Sequence, residues 1–307
     1  MYKNSLPTCP ICLKSGEAYK FIRDHSSDDG DFSLLECTHT NVQFWVPFAN
    51  PGSDWYVKKY GFDFLDKRTS PLRHSAEFFL KKYKKEINGK NILDIGCGTG
   101  EFLFFAKKLG ANVYGIDFNN SALKYAASTY ELDNLHLIKS IHDLNVLDLP
   151  KFDFISAFDV VEHLDNLAIL FSLIEKRLLS DNGIFIFSTP NRARWFVESN
   201  HFDYPPNHLM RFDANSLEKI FNNFGFRLYF KKELDDIELF FDTIGSVVFR
   251  RQAKTMAGSR NNSKERSVTF SRDYIKKIGK KLILILSKIK EFFNCGNTLY
   301  GEATPKK

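Results

Sequence analysis

The chain has 307 residues, of which 43% are hydrophobic and 26% charged, so it can bury a substantial core. This composition excludes a disordered or fibrous protein. The longest apolar run, Leu282 to Leu286, is far shorter than the ~18–20 residues of a membrane-spanning helix, and the N-terminus lacks a secretory pattern. Five cysteines, an odd number, argue against a disulfide framework, and we expect a cytoplasmic protein.

Short apolar runs alternate with amphipathic stretches from Asn91 onward, and this alternation predicts strands that alternate with helices. The pattern indicates a doubly wound, mostly parallel α/β sheet with its ligand at the carboxyl ends of the strands. We expect strands near 91–95, 112–116, 135–138, 152–157, 184–188 and 227–231, and helices near 102–109, 121–130, 166–179 and 215–224.

Composition divides the chain around this α/β domain, which we place at 91–250. A small Cys-containing module (1–50) and connecting helices rich in aromatic residues and lysine (51–90) precede it. A basic linker with an amphipathic helix (251–294) and a last strand with a tail (295–307) follow it.

A glycine-rich loop follows the first predicted strand of the domain, with glycines at 96, 98 and 100. Gly96, Gly98 and Gly100 let the backbone approach a ligand that side chains would exclude. A dinucleotide is disfavoured, because Glu101 stands where that motif needs a small residue and would repel a pyrophosphate. Asp117 ends the next strand, where a carboxylate can accept both ribose hydroxyls. Loop and acid together predict a nucleoside site.

These residues resemble the class I S-adenosylmethionine-dependent methyltransferases, over roughly residues 70–232. The resemblance implies S-adenosyl-L-methionine as the cofactor and a seven-stranded Rossmann-like sheet whose last strand, near 298–303, is antiparallel. It implies that the three loop glycines and Asp117 bind the cofactor, that Asp94 supports the loop and that Phe158 lines the pocket.

The segment 70–73 looks like that of the ubiquinone-biosynthesis O-methyltransferases, which implies that Arg73 grips the methionine carboxylate. A guanidinium can engage a carboxylate through two parallel hydrogen bonds. The alternative is a solvated surface arginine. The same enzymes hold magnesium in an acid-x-x-Glu-His cluster, whose positions Asp159, Glu162 and His163 occupy here. We favour an ordinary helix start instead, because acids in a first turn are stabilised by the helix dipole.

A long polar and aromatic segment, 200–212, follows the fifth strand at the expected ligand edge. His208 resembles the histidine of the family's Pro-x-His-Leu segment, close to where acceptors enter. A neutral histidine can accept the proton of an acceptor hydroxyl near pH 7. The alternative is a structural histidine that bonds the loop backbone.

The N-terminal cysteines look like a zinc knuckle of the kind that precedes many methyltransferase domains. Cys9 and Cys12 form half of a tetrahedral site, and Cys37 adds a third thiolate. Thr40 stands where related knuckles have a fourth cysteine, which leaves His39, or His25, as the fourth ligand. A structural Cys3His zinc site and a metal-free knuckle both fit this pattern.

The segment from Arg250 to Lys290 carries a net charge of +11, whereas the whole chain carries +6. Within it, residues 274–293 place apolar side chains at helical spacing opposite lysines. Such a helix can lie on an anionic membrane surface, pack on the protein's own sheet or contact nucleic acid.

We therefore expect an S-adenosylmethionine-dependent methyltransferase that acts on a small-molecule or lipid-linked acceptor. The predicted reaction is O-methylation of a sugar or lipid-linked glycan intermediate, as in polysaccharide biosynthesis, or of a quinone precursor, at the cytoplasmic membrane face. Sugar-modifying relatives with a comparable Cys-rich front module favour the glycan. The alternatives are an RNA methyltransferase and a catalytically inactive binding module with this fold. The sequence leaves the oligomeric state open.

Overall fold

The computed structural model describes residues 8–14, 18–60, 72–194, 203–234 and 298–306. Within these ranges the chain forms a seven-stranded sheet and a four-stranded sheet. The basic segment Arg250 to Lys290, the predicted amphipathic helix and Cys295 lie outside the described residues. In the described part of the chain, no helix has the length and apolar character needed to cross a bilayer.

The large sheet has the predicted doubly wound architecture. Its strand order is β10-β11-β8-β7-β4-β5-β6, and the five strands from β8 to β6 are parallel to one another. The last strand, β11, runs antiparallel between β8 and β10, as the resemblance implied. The strands are β4 (Asn91–Ile95), β5 (Asn112–Asp117), β6 (Leu135–Leu137), β7 (Phe152–Phe158), β8 (Leu179–Pro190), β10 (Phe226–Leu234) and β11 (Thr298–Pro305).

The helices are α1 (Ser53–Tyr60), α2 (His74–Lys82), α3 (Glu101–Lys108), α4 (Asn120–Tyr130), α5 (Leu167–Leu173) and α6 (Ala214–Asn223). Three of the four helices with predicted bounds, near 102–109, 121–130 and 215–224, lie within one residue of those bounds. Asn119 caps α4, because its side chain accepts hydrogen bonds from the amides of Ser121 and Ala122. The predicted helix 166–179 instead divides into α5 and a π-helical turn, Ile174–Leu178, from which the chain passes straight into β8.

Phenylalanines fill the core on both faces of the large sheet. On one face, the rings of Phe171, Phe185 and Phe221 lie within 6.1 Å of one another between the sheet and helices α5 and α6. On the other face, Phe79 of α2 contacts Phe154 with ring centroids 5.2 Å apart. Aromatic rings bury large apolar areas, so these two layers fix the sheet between its helices.

The small sheet has the order β1-β2-β3-β9, with β1 (Tyr19–Ser27), β2 (Gly30–Cys37), β3 (Gln43–Val46) and β9 (Met210–Arg211). Strand β9 comes from the long segment after β8 and pairs with β3, so the N-terminal module does not form its sheet alone. The amide of Leu209, next to β9, donates to the carbonyl of Glu162 at 2.8 Å. The small sheet is thereby joined to the carboxyl end of the large one.

Candidate functional site

The glycine loop connects the carboxyl end of β4 to the start of α3. Gly96, Gly98 and Gly100 all have positive φ, between 53° and 82°, a region that L side chains rarely adopt. A Cβ at Gly96 would lie 2.6 Å from the Val160 side chain, so glycine is needed there for packing. A Cβ at Gly98 would meet nothing within 4 Å and would project into open space. Gly98 therefore leaves room for a ligand beside the loop.

Asp117 ends β5 and holds this loop in place. One carboxylate oxygen accepts a hydrogen bond from the Gly98 amide at 2.8 Å, and the other accepts from the Asn119 amide at 2.7 Å. Burial raises the pKa of Asp117, although these amide donors oppose the rise. The structure places the predicted ribose-binding carboxylate directly against the predicted cofactor loop.

Asp94 lies beneath the loop, in the middle of the parallel strands. It is 4% exposed and accepts a hydrogen bond from the Ser156 hydroxyl at 2.7 Å. Burial raises the pKa of Asp94 to about 7, with Ser156 and Arg73 opposing and Asp117 adding to the rise. The carboxyl group of Asp94 thus links β4 to β7 directly before the loop, and its supporting role for the loop stays a prediction.

Arg73 precedes α2 and reaches the carboxyl end of β7. Its Nη1 donates to the Phe158 carbonyl at 3.0 Å and to the Asp159 carboxylate at 2.6 Å. The Ser188 hydroxyl also donates to Asp159, at 2.9 Å. The Phe158 ring is buried and packs edge-on against Phe102 of α3. Arg73 and Phe158, both predicted to bind the cofactor, thus lie at the ligand edge of the sheet. The guanidinium of Arg73 is paired with the carboxylate of Asp159.

A buried carboxylate lies just beyond, on the short 3-10 helix Val161–His163. Glu162 is 1% exposed, and its carboxylate oxygens make no hydrogen bond of normal geometry among the described residues, although the Thr189 hydroxyl lies near enough to lower the pKa of Glu162. Burial raises the pKa of Glu162 to about 8, and the nearby Asp159 adds to this. At that pKa the Glu162 carboxyl group is protonated at neutral pH, which avoids the cost of an unpaired buried charge.

Two histidines face Glu162. One ligand atom each from Glu162, His163 and His208 lies within 4.8 Å of the other two. The imidazole rings of His163 and His208 are 4.6 Å apart between centroids. Burial lowers the pKa of His163 well below its ordinary value and that of His208 to about 3, so both rings are neutral. The predicted proton acceptor, His208, lies at the same end of the sheet as the predicted cofactor site.

The magnesium cluster of Asp159, Glu162 and His163, the less favoured of the two interpretations, is not the set whose ligand atoms converge, although Asp159 lies near enough to raise the pKa of Glu162. Asp159 is engaged by Arg73 and Ser188, and it is not among the three residues that converge. The converging set contains two imidazoles and one carboxylate, whereas magnesium prefers oxygen ligands. The residues present therefore do not fit a magnesium ion.

Several residues around this cluster were missed by the sequence analysis. Asp203 pairs with the guanidinium of Arg194 and lies 3.4 Å from His208 Nδ1 through its other oxygen. Tyr56 of α1 donates to the Asn207 carbonyl at 3.3 Å, beside His163. Tyr56 comes from α1, and the other residues come from the segments around β8 and β9. The only sequence feature that indicated any of them was the polar character of the segment 200–212.

The cysteine cluster lies apart from this site, at the start of the small sheet. The sulfurs of Cys9, Cys12 and Cys37 lie within 4.8 Å of one another, and those of Cys12 and Cys37 are 3.6 Å apart. The Thr40 hydroxyl lies 3.9 Å from the Cys9 sulfur. His39, the predicted fourth ligand, is exposed and is not in the cluster. Burial raises the pKa of Cys9 to about 12.

Strand order, glycine loop and terminal acid of β5 together define a nucleoside-binding fold of the methyltransferase class. The profile of a family described as "Methyltransferase domain" matches residues 64–229, more than half of the chain. The chain belongs to this family, among the class I S-adenosylmethionine-dependent methyltransferases.

Curated relatives named as methyltransferases match part of the chain. A ribosomal protein L11 methyltransferase of Thermotoga maritima is 28% identical over 145 residues, 41% of this chain and 54% of the relative. A ubiquinone biosynthesis O-methyltransferase of Actinobacillus pleuropneumoniae is 34% identical over 132 residues, 40% of this chain and 54% of the relative. The chain thus spans about half the length of these relatives.

A solved structure shares the fold. A Haloferax volcanii methyltransferase, solved in complex with the Trm112 methyltransferase activator, is 13% identical with a TM-score of 0.50, covering 83% of this chain and 95% of that one. An Archaeoglobus fulgidus SAM-dependent methyltransferase is 21% identical with a TM-score of 0.49, covering 82% of this chain and 99% of that one.

Proposed function

We propose that this protein transfers a methyl group from S-adenosyl-L-methionine to an oxygen atom of a sugar, a lipid-linked glycan intermediate or a quinone precursor. One observation carries the cofactor half of the proposal. The Gly98 amide is fixed by Asp117 at 2.8 Å, while the missing Gly98 side chain leaves open space beside it. The residues present fit a bound nucleoside, because backbone and carboxylate are held ready at the ligand edge.

Different residues of the chain would bind different parts of the cofactor. When bound, S-adenosyl-L-methionine supplies an electrophilic methyl group on its sulfonium. Asp117 would accept the ribose hydroxyls through the lone pairs that its amide donors leave free. Arg73 would engage the methionine carboxylate, exchanging its contact with Asp159 for a bidentate one. Asp94, which is bonded to Ser156 of β7, would fix the end of β4 from which the loop begins.

The acceptor would enter beside Glu162 and His208, under the small sheet. Two features support an acceptor drawn from the membrane face. The segment Arg250 to Lys290 carries a net +11, and some curated relatives are named ubiquinone biosynthesis O-methyltransferases. Lysines near an anionic lipid surface contribute about 1 kcal/mol each. His208 is the proposed acceptor of the hydroxyl proton, but its lowered pKa, about 3, makes it a weaker base than an ordinary imidazole.

The experiment that tests the acceptor uses methyl-labelled S-adenosyl-L-methionine. The purified protein is incubated with a membrane-containing lysate, and label is counted in lipid, carbohydrate, protein and RNA fractions. Label in lipid or carbohydrate, absent with the Asp117→Ala variant, is the expected result. Label in RNA would support the RNA methyltransferase that the basic segment also suits. Cofactor binding without any label would favour an inactive module.

We further propose that the cysteine cluster holds a structural zinc ion. A tetrahedral ion with bonds of ~2.3 Å places two thiolates about 3.8 Å apart, close to the 3.6 Å between Cys12 and Cys37. Thr40 lies near the fourth corner, 3.9 Å from Cys9, in place of the predicted His39. Zinc content after dialysis tests this: about one zinc per chain is expected, and Cys12→Ser but not His39→Ala should lose it.

A further inference from the structure

We propose that Glu302, a buried carboxylate on β11, is a positioning residue for the cofactor site, because it fixes helix α2 and thereby sets where Arg73 lies at the ligand edge of the sheet. The inference rests on the proposed binding of S-adenosyl-L-methionine and deepens it. Recognition of the amino-acid carboxylate would depend on a side chain at the opposite end of a helix from the ligand.

The first step of the argument is the set of donors around Glu302. This residue is 0% exposed, on a strand that runs between β8 and β10. Its Oε2 accepts a hydrogen bond from Lys82 Nζ at 2.7 Å and another from the Tyr83 hydroxyl at 2.8 Å. Its Oε1 accepts from the Tyr300 hydroxyl at 2.8 Å. Because a buried charge is tolerated only when it is paired and hydrogen-bonded, the folded protein keeps these donors in place.

The two phenol groups stay protonated, so they act as donors throughout the physiological pH range. Burial raises the pKa of Tyr83 and that of Tyr300, and the carboxylate of Glu302 raises both further. The cluster of Glu302, Lys82, Tyr83 and Tyr300 is therefore a fixed contact between helix and sheet.

The second step is the place of these donors on α2. Lys82 is the last residue of the helix, and Tyr83 is the residue that follows it. Phe79 of the same helix packs against Phe154 of β7, with ring centroids 5.2 Å apart. Apolar contacts of this kind have no preferred direction, so they hold the helix on the sheet without fixing its rotation. Charge-assisted hydrogen bonds are directional, and those to Glu302 fix the rotation and the register of α2.

The third step is the position of Arg73 at the other end of the same helix. Arg73 is the N-cap residue, and its carbonyl accepts the hydrogen bond of the Glu77 amide at 2.9 Å. A helix of nine residues is about 13 Å long and behaves as a rod, so a shift at the Glu302 end reaches Arg73. A displacement of about 1 Å at a binding group can cost up to about 100-fold.

The test compares two ligands of the full-length protein by calorimetry. S-adenosylhomocysteine has the amino-acid carboxylate, and methylthioadenosine lacks it. Glu302→Gln and Lys82→Met should each weaken S-adenosylhomocysteine at least about fivefold relative to methylthioadenosine. Lys82→Arg keeps the charge and should retain most of this selectivity. The matched control is Phe221→Leu, which reduces packing on the opposite face of the sheet and should leave the selectivity unchanged.

A double variant distinguishes positioning of Arg73 from a general loss of structure. If Glu302 acts through Arg73, then Arg73→Ala combined with Glu302→Gln should lose no more selectivity than Arg73→Ala alone. Additive losses would overturn the inference, as would unchanged selectivity in both Glu302→Gln and Lys82→Met. Urea denaturation of each variant is the folding control. If Glu302→Gln does not fold, Tyr83→Phe takes its place, because it removes one donor and keeps the ion pair; it should lose selectivity in the same direction.

Failure of the proposed function gives a different result. Unchanged selectivity in Arg73→Ala would overturn the proposed role of Arg73 and this inference with it. Absence of S-adenosylhomocysteine binding by the parent protein would overturn the proposed cofactor and both roles together. Selectivity that is lost in Arg73→Ala but retained in Glu302→Gln and Lys82→Met would overturn only the role of Glu302.

Discussion

The guanidinium of Arg73 lies 2.6 Å from the carboxylate of Asp159, which joins the start of α2 to the carboxyl end of β7. The contact links two residues that are 86 positions apart in the sequence. It holds the arginine at the ligand edge of the sheet, close enough to act on the charges of Asp94, Asp117 and Glu162. Arg73 is therefore in place to exchange a protein carboxylate for that of a ligand.

This relationship predicts a selective loss of affinity in Arg73→Ala. Hydrogen bonds to charged groups are worth about 1.5–3 kcal/mol, so S-adenosylhomocysteine should bind about 10–100-fold more weakly. Methylthioadenosine has no amino-acid carboxylate, and its affinity should change less than threefold. Calorimetry with both ligands measures the difference, and the exposed Arg227→Ala is the control. Equal losses for the two ligands would remove Arg73 from the carboxylate subsite.

Asp117→Ala should weaken S-adenosyl-L-methionine binding at least tenfold. The substitution removes the acceptor of the Gly98 amide together with the carboxylate that faces the ribose site. Asp117→Asn keeps the shape and one acceptor oxygen, and it should retain part of the affinity. Calorimetric titration measures both, with the exposed Asp133→Ala as the control. An unchanged affinity in Asp117→Ala would place the ribose elsewhere.

The glycine loop predicts different outcomes for neighbouring substitutions. Gly96→Ala combines left-handed backbone strain with a 2.6 Å contact to Val160, and it should lower the free energy of unfolding by ~2–4 kcal/mol. Gly98→Ala adds only the left-handed backbone strain and should lower the free energy of unfolding by ~1–2 kcal/mol. Because its methyl group would project towards the ligand, this variant should also bind the cofactor more weakly.

The matched control is Gly89→Ala, which has φ of 74° with nothing near its Cβ and precedes β4, at the opposite end of that strand from the loop. It should cost about as much stability as Gly98→Ala and leave the affinity unchanged. Urea denaturation and calorimetry measure the two quantities. If Gly98→Ala binds the cofactor as tightly as Gly89→Ala does, the ligand does not approach position 98.

The raised pKa of Asp94 predicts that the stability difference between the parent protein and Asp94→Asn depends on pH. Burial raises its pKa in the folded protein from 3.8 to about 7, so the folded state keeps a proton that the unfolded chain has lost. The stabilising contribution of Asp94 is complete below about pH 4 and disappears as the pH rises through about 7. Relative to Asp94→Asn, the parent protein should lose up to ~4 kcal/mol of unfolding free energy across this range.

The measurement is urea denaturation of the cofactor-free protein between about pH 5 and about pH 8. The exposed Asp148→Asn should give a curve parallel to that of the parent protein. A parallel curve for Asp94→Asn as well would show that Asp94 is ionised throughout and that its pKa is not raised.

Much of the α/β domain could be predicted from sequence because its signals are local. The spacing of apolar residues fixed strands and helices within a few positions, and the loop from Gly96 to Gly100 is one continuous segment. The antiparallel β11 came from resemblance rather than from periodicity. The pattern could not show that helix 166–179 ends in a π turn, because a π turn and an α turn bury nearly the same side chains.

The sequence by itself determined the sheet, the glycine loop and the acid at the end of β5, because these depend on spacing within short segments. Only the tertiary structure decided which side chains meet. In the folded protein Arg73 contacts Asp159, His208 lies close to Glu162, and Thr40 rather than His39 lies beside the cysteines. It also completed the small sheet with β9. The reason is physical: pairings between segments far apart in the chain depend on how the elements pack, which no local pattern encodes.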